Sequence, residues 1–278
     1  MKTRVTTILA AVLTLSAGVA HAARLEPESV RGWSWYIAAA GARMARELGA
    51  GDRFLVLDFA GDADAERRAL RRGELVIRPL SAIDQAGHAI QVQSASIHHW
   101  RGAVFIPGVS VEGLVRQLET TAPPARDDVL ESRVLARGPN HLKVFLKLQS
   151  SGVVTVTYDT EHDVTFRTYD AMHATSASVA TRIAELARAG VPGERELPPG
   201  EDHGFLWRLN AYWRYEQVAG GVIAECESIT LSRGVPLPLR VLLGPLVDRA
   251  SRGAMARTLE SLRVRFARPV SLPHAVRP

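Results

Sequence analysis

The chain is poor in cysteine: Cys226 is its sole thiol. One thiol cannot close an internal disulfide, so stability has to come from burial. Long apolar runs are missing beyond the first two dozen residues, which excludes a bundle of spanning helices. There is no internal repeat and no phosphate-binding glycine loop. Ser110, Ser151 and Ser176 lack the flanking glycines of a nucleophile elbow. A strong charge bias is absent too. The formal net charge is +5, with the basic residues spread along the chain, and that pattern does not call for a nucleic-acid partner.

What is present is an ordinary globular composition, 46% hydrophobic and 23% charged, enough for a real core. The N-terminus has the three parts of a secretion signal: the basic "MKTR", the apolar "VTTILAAVLTLSAGVA" and the small-x-small "AHA" before Ala23. Residues 1–22 are therefore expected to be a signal peptide cut after Ala22, sending the protein to the periplasm or outside the cell. The apolar stretch is short for a membrane span, and no cysteine follows the cut to carry a lipid. Loss of Lys2 and Arg4 lowers the net charge by two.

After the signal, "EPESVRGWSWYIAAAGARMAREL" predicts a helix with Trp33, Ile37, Ala40, Met44 and Leu48 on one face. "DRFLVLDF" predicts a short strand, "ADAERRALRR" a charged helix and "GELVIRPL" another strand. Residues 23–90 thus form an N-terminal α/β extension. From residue 90 onward long strands dominate, interrupted by the short helix "VSVEGLVRQLETT" and the Pro-marked corner "APPARDDV". Segments 153–159 and 163–170 are expected as separate strands. The stretch from Pro236 to Phe266 is helical, with Gly244-Pro245 splitting it and Pro245 opening the longer part. A tail, 269–278, follows.

The stretch "YWRYEQVAGGVIAECESITL" (212–231) raises a sharper question, because Glu225 and Glu227 flank the single thiol. Side chains alternate along a strand. With a turn near Gly220, Trp213 and Tyr215 face the small residues Ala224, Cys226 and Ser228, and Arg214 faces Glu225 or Glu227. Large against small fills the inner layer, and opposite charges pair on the outer one. Cys226 is then a buried, inert thiol in a β-hairpin.

Consecutive antiparallel strands followed by one long helix predict an α+β fold. A curved sheet of six or seven strands covers its apolar face with the C-terminal helix, the long element available for it. Leu239, Leu243, Leu246, Ala250, Ala254, Met255, Leu259, Leu262 and Phe266 keep a helical stripe for that purpose. The stretches "HHWRGAVFIPGVSVEGLVRQLE", "GEDHGFLWRLNAYWRYE", "GGVIAECESITLSRGVP" and "LLGPLVDRASRGAMARTLESL" resemble the START-like helix-grip superfamily, which also contains the Bet v 1-like allergens and bacterial polyketide cyclases. They are most similar to a group of exported bacterial members. The resemblance covers 91–268, leaves the extension outside it, and implies a fold rather than a catalytic motif.

A concave apolar sheet face under a helix is the expected ligand site. Its candidate lining is Trp100, Val104, Leu146, Val156, Trp207, Leu209, Trp213 and Tyr215, with Leu246 and Ala250 from the helix. The expected partner is a hydrophobic or amphipathic small molecule, lipid-like, with no cofactor and no metal. His98 and His99, being adjacent, face opposite ways, so a zinc site would need His141, His162, His173 or His203 brought in. "EDHG" (201–204) contains the parts of an acid–base site, and the rival expectation is a cyclase-like enzyme with His98 or His203 as general base. Inner faces with few titratable groups argue against it. Arg249, Arg252, Arg257, Arg263 and Arg265 form a basic helix face suited to solvent or to transient membrane contact. The apolar, Pro-marked segment 233–245 is placed to act as a lid.

Overall fold

The computed structural model describes residues 24–151, 154–234 and 237–267; within the last range it describes side chains only for Leu246 and for residues 248–267. The expected signal peptide, the side chains from Val235 to Leu243 of the expected lid and the tail lie outside the described residues. The elements are helix α1 (Pro27–Leu48), a 3-10 turn (Val56–Phe59), α2 (Ala63–Arg71), β1 (Val76–Pro79), β2 (Ala95–Pro107), α3 (Val111–Leu118), β3 (Val129–Gly138), β4 (His141–Ser151), β5 (Thr155–Thr168), β6 (His173–Ala187), β7 (Arg195–Glu196), β8 (Arg208–Val218), β9 (Gly221–Arg233) and α4 (Leu237–Phe266).

All strand pairs are antiparallel, in the order β1-β2-β9-β8-β6-β5-β4-β3, with the short β7 beside β6. The sheet wraps around α4, which is the helix-grip arrangement. At one edge Met255 and Leu259 of α4 lie on β2. They come so close that a Cβ on Gly102 would sit 2.6 Å from Met255 Cγ and 2.8 Å from Leu259 Cδ1. Beyond the other edge, the segment before β3 reaches the same helix. Arg126 donates to Thr258 Oγ1 at 3.2 Å, and Arg257 to Asp128 Oδ2 at 3.0 Å. Bulges between β3 and β4 and between β5 and β6 supply the bend.

Three local expectations change. Residues 52–59 form no strand. The Asp58 carboxylate accepts from Phe54 N and Leu55 N at 3.1 and 2.9 Å, and so coils the chain into the 3-10 turn. Segments 153–159 and 163–170 are not separate: β5 runs through both, since the polar residues between them continue the ladder on both sides. Backbone helix runs through Gly244 and Pro245, so α4 is continuous.

The hairpin at 212–231 has the expected register, with Trp213 opposite Cys226, Tyr215 opposite Ala224 and Arg214 opposite Glu225. The ion pairs on its outer face differ from that register. The extension covers this face, and helix α1 buries Ser29, Trp33, Tyr36, Ala40, Met44 and Glu47 against it, a partly polar stripe rather than the apolar one expected. Arg214 reaches up to Glu47 Oε2 at 2.6 Å and Phe54 O at 2.8 Å. Glu225, 1% exposed, accepts from Leu57 N at 3.0 Å, from Val56 N and from Arg101 Nη1 at 3.2 Å. Arg101 also pairs with Glu66 of α2 at 2.8 Å. Glu227, 2% exposed, takes His99 Nε2 at 2.6 Å and Arg43 of α1, while Tyr36 bonds His99 Nδ1 at 2.8 Å. Tyr36 accepts from Ala82 N at 2.9 Å, so its own proton goes to His99 Nδ1 and the His99 Nε2–H goes to Glu227.

Burial and the outer-face charges pull the two glutamates apart. Burial pushes the Glu225 carboxyl up, to about 7, although Arg101 and Arg214 oppose it. Burial also pushes on Glu227, but the bonds from His99 and Arg43 outweigh it and hold that carboxyl below its usual range. Taking a partner from such a cluster leaves a charge buried alone, which costs about 3–5 kcal/mol.

Candidate functional site: the cavity between sheet and helix

Between the inner sheet face and α4 lies a cavity of about 2140 Å3. Strand parity decides what it is made of. From β2 come His98 and Trp100; from β4 Leu142, Val144, Leu146 and Leu148; from β5 Val156, Tyr158, His162 and Val164. β8 adds Leu209, Ala211, Trp213 and Tyr215, and β9 adds Cys226, Ser228 and Thr230. Helix α4 closes one side with Leu246, Ala250, Ala254 and Met255. The two halves of α4 do different work. Met255, Leu259 and Phe266 are buried in the core, whereas Leu246 near its start is 47% exposed along the cavity.

Of the predicted lining, Trp100, Leu146, Val156, Leu209, Trp213, Tyr215, Leu246 and Ala250 are brought together on the cavity wall. Val104 and Trp207 are not. Val104 is on the inner face but fully buried with Val111, Leu114, Met255 and Leu259, because α3 and the second half of α4 seal that end. Trp207 faces the opposite way. It precedes the first β8 residue, Arg208, so the two-residue alternation does not extend to it. Its ring packs with Trp33 and Tyr36 of α1, and its Nε1 donates to Asp202 Oδ1 at 3.0 Å. Leu206 and Phe205 line the cavity in its place.

The wall is also more polar than expected. His98, Tyr158, His162, Glu185 and His203 all reach it, contrary to the expectation of few titratable groups. Segments joining β6 to β8 bring in residues that no strand pattern displays. The imidazole of "EDHG" does not pair with its loop neighbours: His203 Nδ1 bonds Glu185 Oε1 from β6, and its backbone N–H donates to Glu185 Oε2 at 3.0 Å. Asp202 turns instead to Gly204 N and Trp207. His162 sits deeper, with Nε2 3.0 Å from Thr160 Oγ1 and Nδ1 3.3 Å from Ser178 Oγ. Burial drives its pKa down to about 4, so the ring is neutral.

His98 and His99 do face opposite ways, His98 bonding Ser232 Oγ at 3.1 Å inside and His99 joining the outer cluster. His141 and His173 lie with Asp163 and Asp170, away from the cavity. No group of three or more His, Cys, Asp or Glu is gathered for a metal among the described residues. Cys226 is buried between Trp213 of β8 and Gly102 of β2, and burial pushes its thiol well up, so it stays protonated. On α4, Arg257, Arg263 and Arg265 are tied to Asp128, to the carbonyl of Gly73 and to Thr121. No described helix is long and apolar enough to cross a membrane.

No family model matches the chain, and no curated protein matches it. Among solved structures, a STAR-related lipid transfer protein fragment from Xanthomonas axonopodis is similar over 64% of this chain and 96% of its own, at 17% identity and a TM-score of 0.42. A START superfamily protein from Mycobacterium smegmatis covers 60% of this chain and 96% of itself, at 10% identity and a TM-score of 0.40. The Zhui aromatase/cyclase from a Streptomyces species covers 65% of this chain and 100% of itself, at 14% identity and a TM-score of 0.38. At these identities the likeness concerns the arrangement of sheet and helix alone.

Proposed function

We propose that this protein is exported by its N-terminal signal and binds a hydrophobic or amphipathic, lipid-like molecule between its sheet and α4. The observation that carries the reading is the cavity itself. Its volume of about 2140 Å3 exceeds the ~300–1,000 Å3 of sites for drug-sized ligands, and its wall carries a broad apolar surface of Leu, Val, Ala and aromatic side chains beside its polar groups. A space of that size with an apolar wall favours a long apolar guest, since burying it releases its hydration at ~25 cal/mol per Å2.

Two measurements test this. Native mass spectrometry of protein purified from the cell envelope is expected to show an adduct of lipid-like mass. Protein exported by the signal is expected to begin at Ala23. If there is no adduct and N-phenyl-1-naphthylamine shows no saturable uptake, the guest space is closed and binding is refuted. Retention of Met1 refutes export.

One observation favours a second reading. The Glu185–His203 pair on the wall has the form of a carboxylate-oriented imidazole, as a general base requires. A cyclase- or hydrolase-like enzyme would lose turnover in His203→Gln while still binding the probe.

A further inference from the structure

Several polar groups of the cavity wall are bonded to one another or to neighbouring groups. Thr160 donates to Leu146 O at 2.9 Å, so it accepts from His162 Nε2–H, and His162 Nδ1 is left to accept from Ser178. Ser176 and Tyr215 share a bond of 3.0 Å. Glu185 is engaged by the His203 ring and backbone. His98 has Ser232, and Arg126 has Asp128, Thr258 and Ser261. Tyr158 is different. It is 2% exposed, it lines the cavity between Leu148 of β4 and Glu185 of β6, and its hydroxyl has no hydrogen-bond partner. Among the described cavity-lining residues it is the sole buried side-chain polar atom in that condition. A buried hydroxyl left without an acceptor is unfavourable, and native proteins seldom leave one so without a use.

Resting on the cavity reading above, we propose that the guest carries an uncharged oxygen acceptor at one end, and that this oxygen accepts a hydrogen bond from Tyr158. The apolar body would lie along Leu146, Val156, Leu209 and Ala250. The class of ligand is a long-chain alcohol, ketone or ester, not a free fatty acid. The local charge argues for this choice. Glu185 and Asp202 act on Tyr158 with negative charge, and with burial they push its phenol up, so it remains a donor. The same two carboxylates would repel an anionic head placed beside it. His162, neutral and already bonded at both nitrogens, offers no cation to compensate.

The test displaces N-phenyl-1-naphthylamine from wild type and Tyr158→Phe with dodecane, dodecan-1-ol and dodecanoate at pH 7.5. In wild type the alcohol is expected to compete best and dodecanoate worst. In Tyr158→Phe the alcohol should weaken about tenfold, the size of one buried hydrogen bond, with dodecane unchanged. The ligand-free variant should melt at or above the wild-type temperature, because the hydroxyl removed has no partner to lose. The Tyr158 assignment fails if the alcohol binds both proteins equally while dodecane still competes, and the cavity reading survives. It fails also if dodecanoate outcompetes the alcohol, or if ligand-free Tyr158→Phe melts lower, which would reveal a resident partner. If neither the probe nor any competitor enters wild type, the cavity reading itself falls.

Discussion

The two faces of one sheet are built on opposite principles. Inside, β2, β8 and β9 present Trp100, Gly102, Trp213, Tyr215, Ala224 and Cys226, and the sheet bends away from its helix to form the cavity. Outside, one residue along each strand, the same strands present His99, Arg101, Arg214, Glu225 and Glu227, and the extension packs down on them. The apolar face is thus the loosely occupied one, and the charged face is the closed one. An apolar wall tolerates a gap at the cost of lost dispersion contacts. A charged wall tolerates none, because each buried charge without a partner is far more costly. The design explains why function is sought on the inner face and stability on the outer.

The largest effect expected is on the outer face. Glu225→Ala removes the acceptor for Arg101 and for the backbone of Val56 and Leu57, and should lower unfolding free energy by about 3–5 kcal/mol in urea titrations. A loss below about 1 kcal/mol would mean that this cluster is solvated and the contrast between faces is false. Next in size is the one place where the inner face is tightly packed. Gly102→Ala pushes Met255 and Leu259 off β2 and should cost about 1–3 kcal/mol, with probe affinity altered because α4 shifts as a unit.

The pH dependence separates the two glutamates. Glu225 has its pKa raised, to about 7, so its contribution is present below the ordinary glutamate value and is lost as pH rises through about 7. Glu227 has its pKa lowered, so its contribution is present above the ordinary value and is lost as acid is added below it. Melting curves from pH 3 to 8 should therefore lose the neutral-side decline in Glu225→Gln and part of the acid-side decline in Glu227→Gln. Identical profiles for the two variants would contradict the assignment.

The smallest stability effects belong inside. Leu209→Ser should weaken uptake of N-phenyl-1-naphthylamine several-fold while moving unfolding free energy by about 1 kcal/mol or less, the reverse of Glu225→Ala. Cys226 should resist thiol reagents in the native protein and react after denaturation. Rapid native labelling would show that the cavity admits solvent as far as the β8–β9 hairpin.

How much of this was legible in the sequence follows from the range of each interaction. The hairpin register, the small-to-large pairing of Ala224 and Cys226 with Tyr215 and Trp213, and the opposite facing of His98 and His99 all come from alternation, which is a property of neighbouring residues. So does most of the cavity wall. Alternation fails where the strand ends, and Trp207 lies one residue beyond that limit. The cover of the outer face was not legible. Arg43 meets Glu227 across 184 residues of sequence, and Arg214 meets Glu47 across 167. Nothing local to "AECES" distinguishes a solvated glutamate from a buried one. The same holds for Tyr158: nothing local to it shows that its hydroxyl is buried without a partner. By itself the sequence determined which side chains share a face, because backbone geometry alternates them. Only the tertiary structure decided which face would be closed over charges and which would be left with room, because that depends on what packs against the sheet from far along the chain.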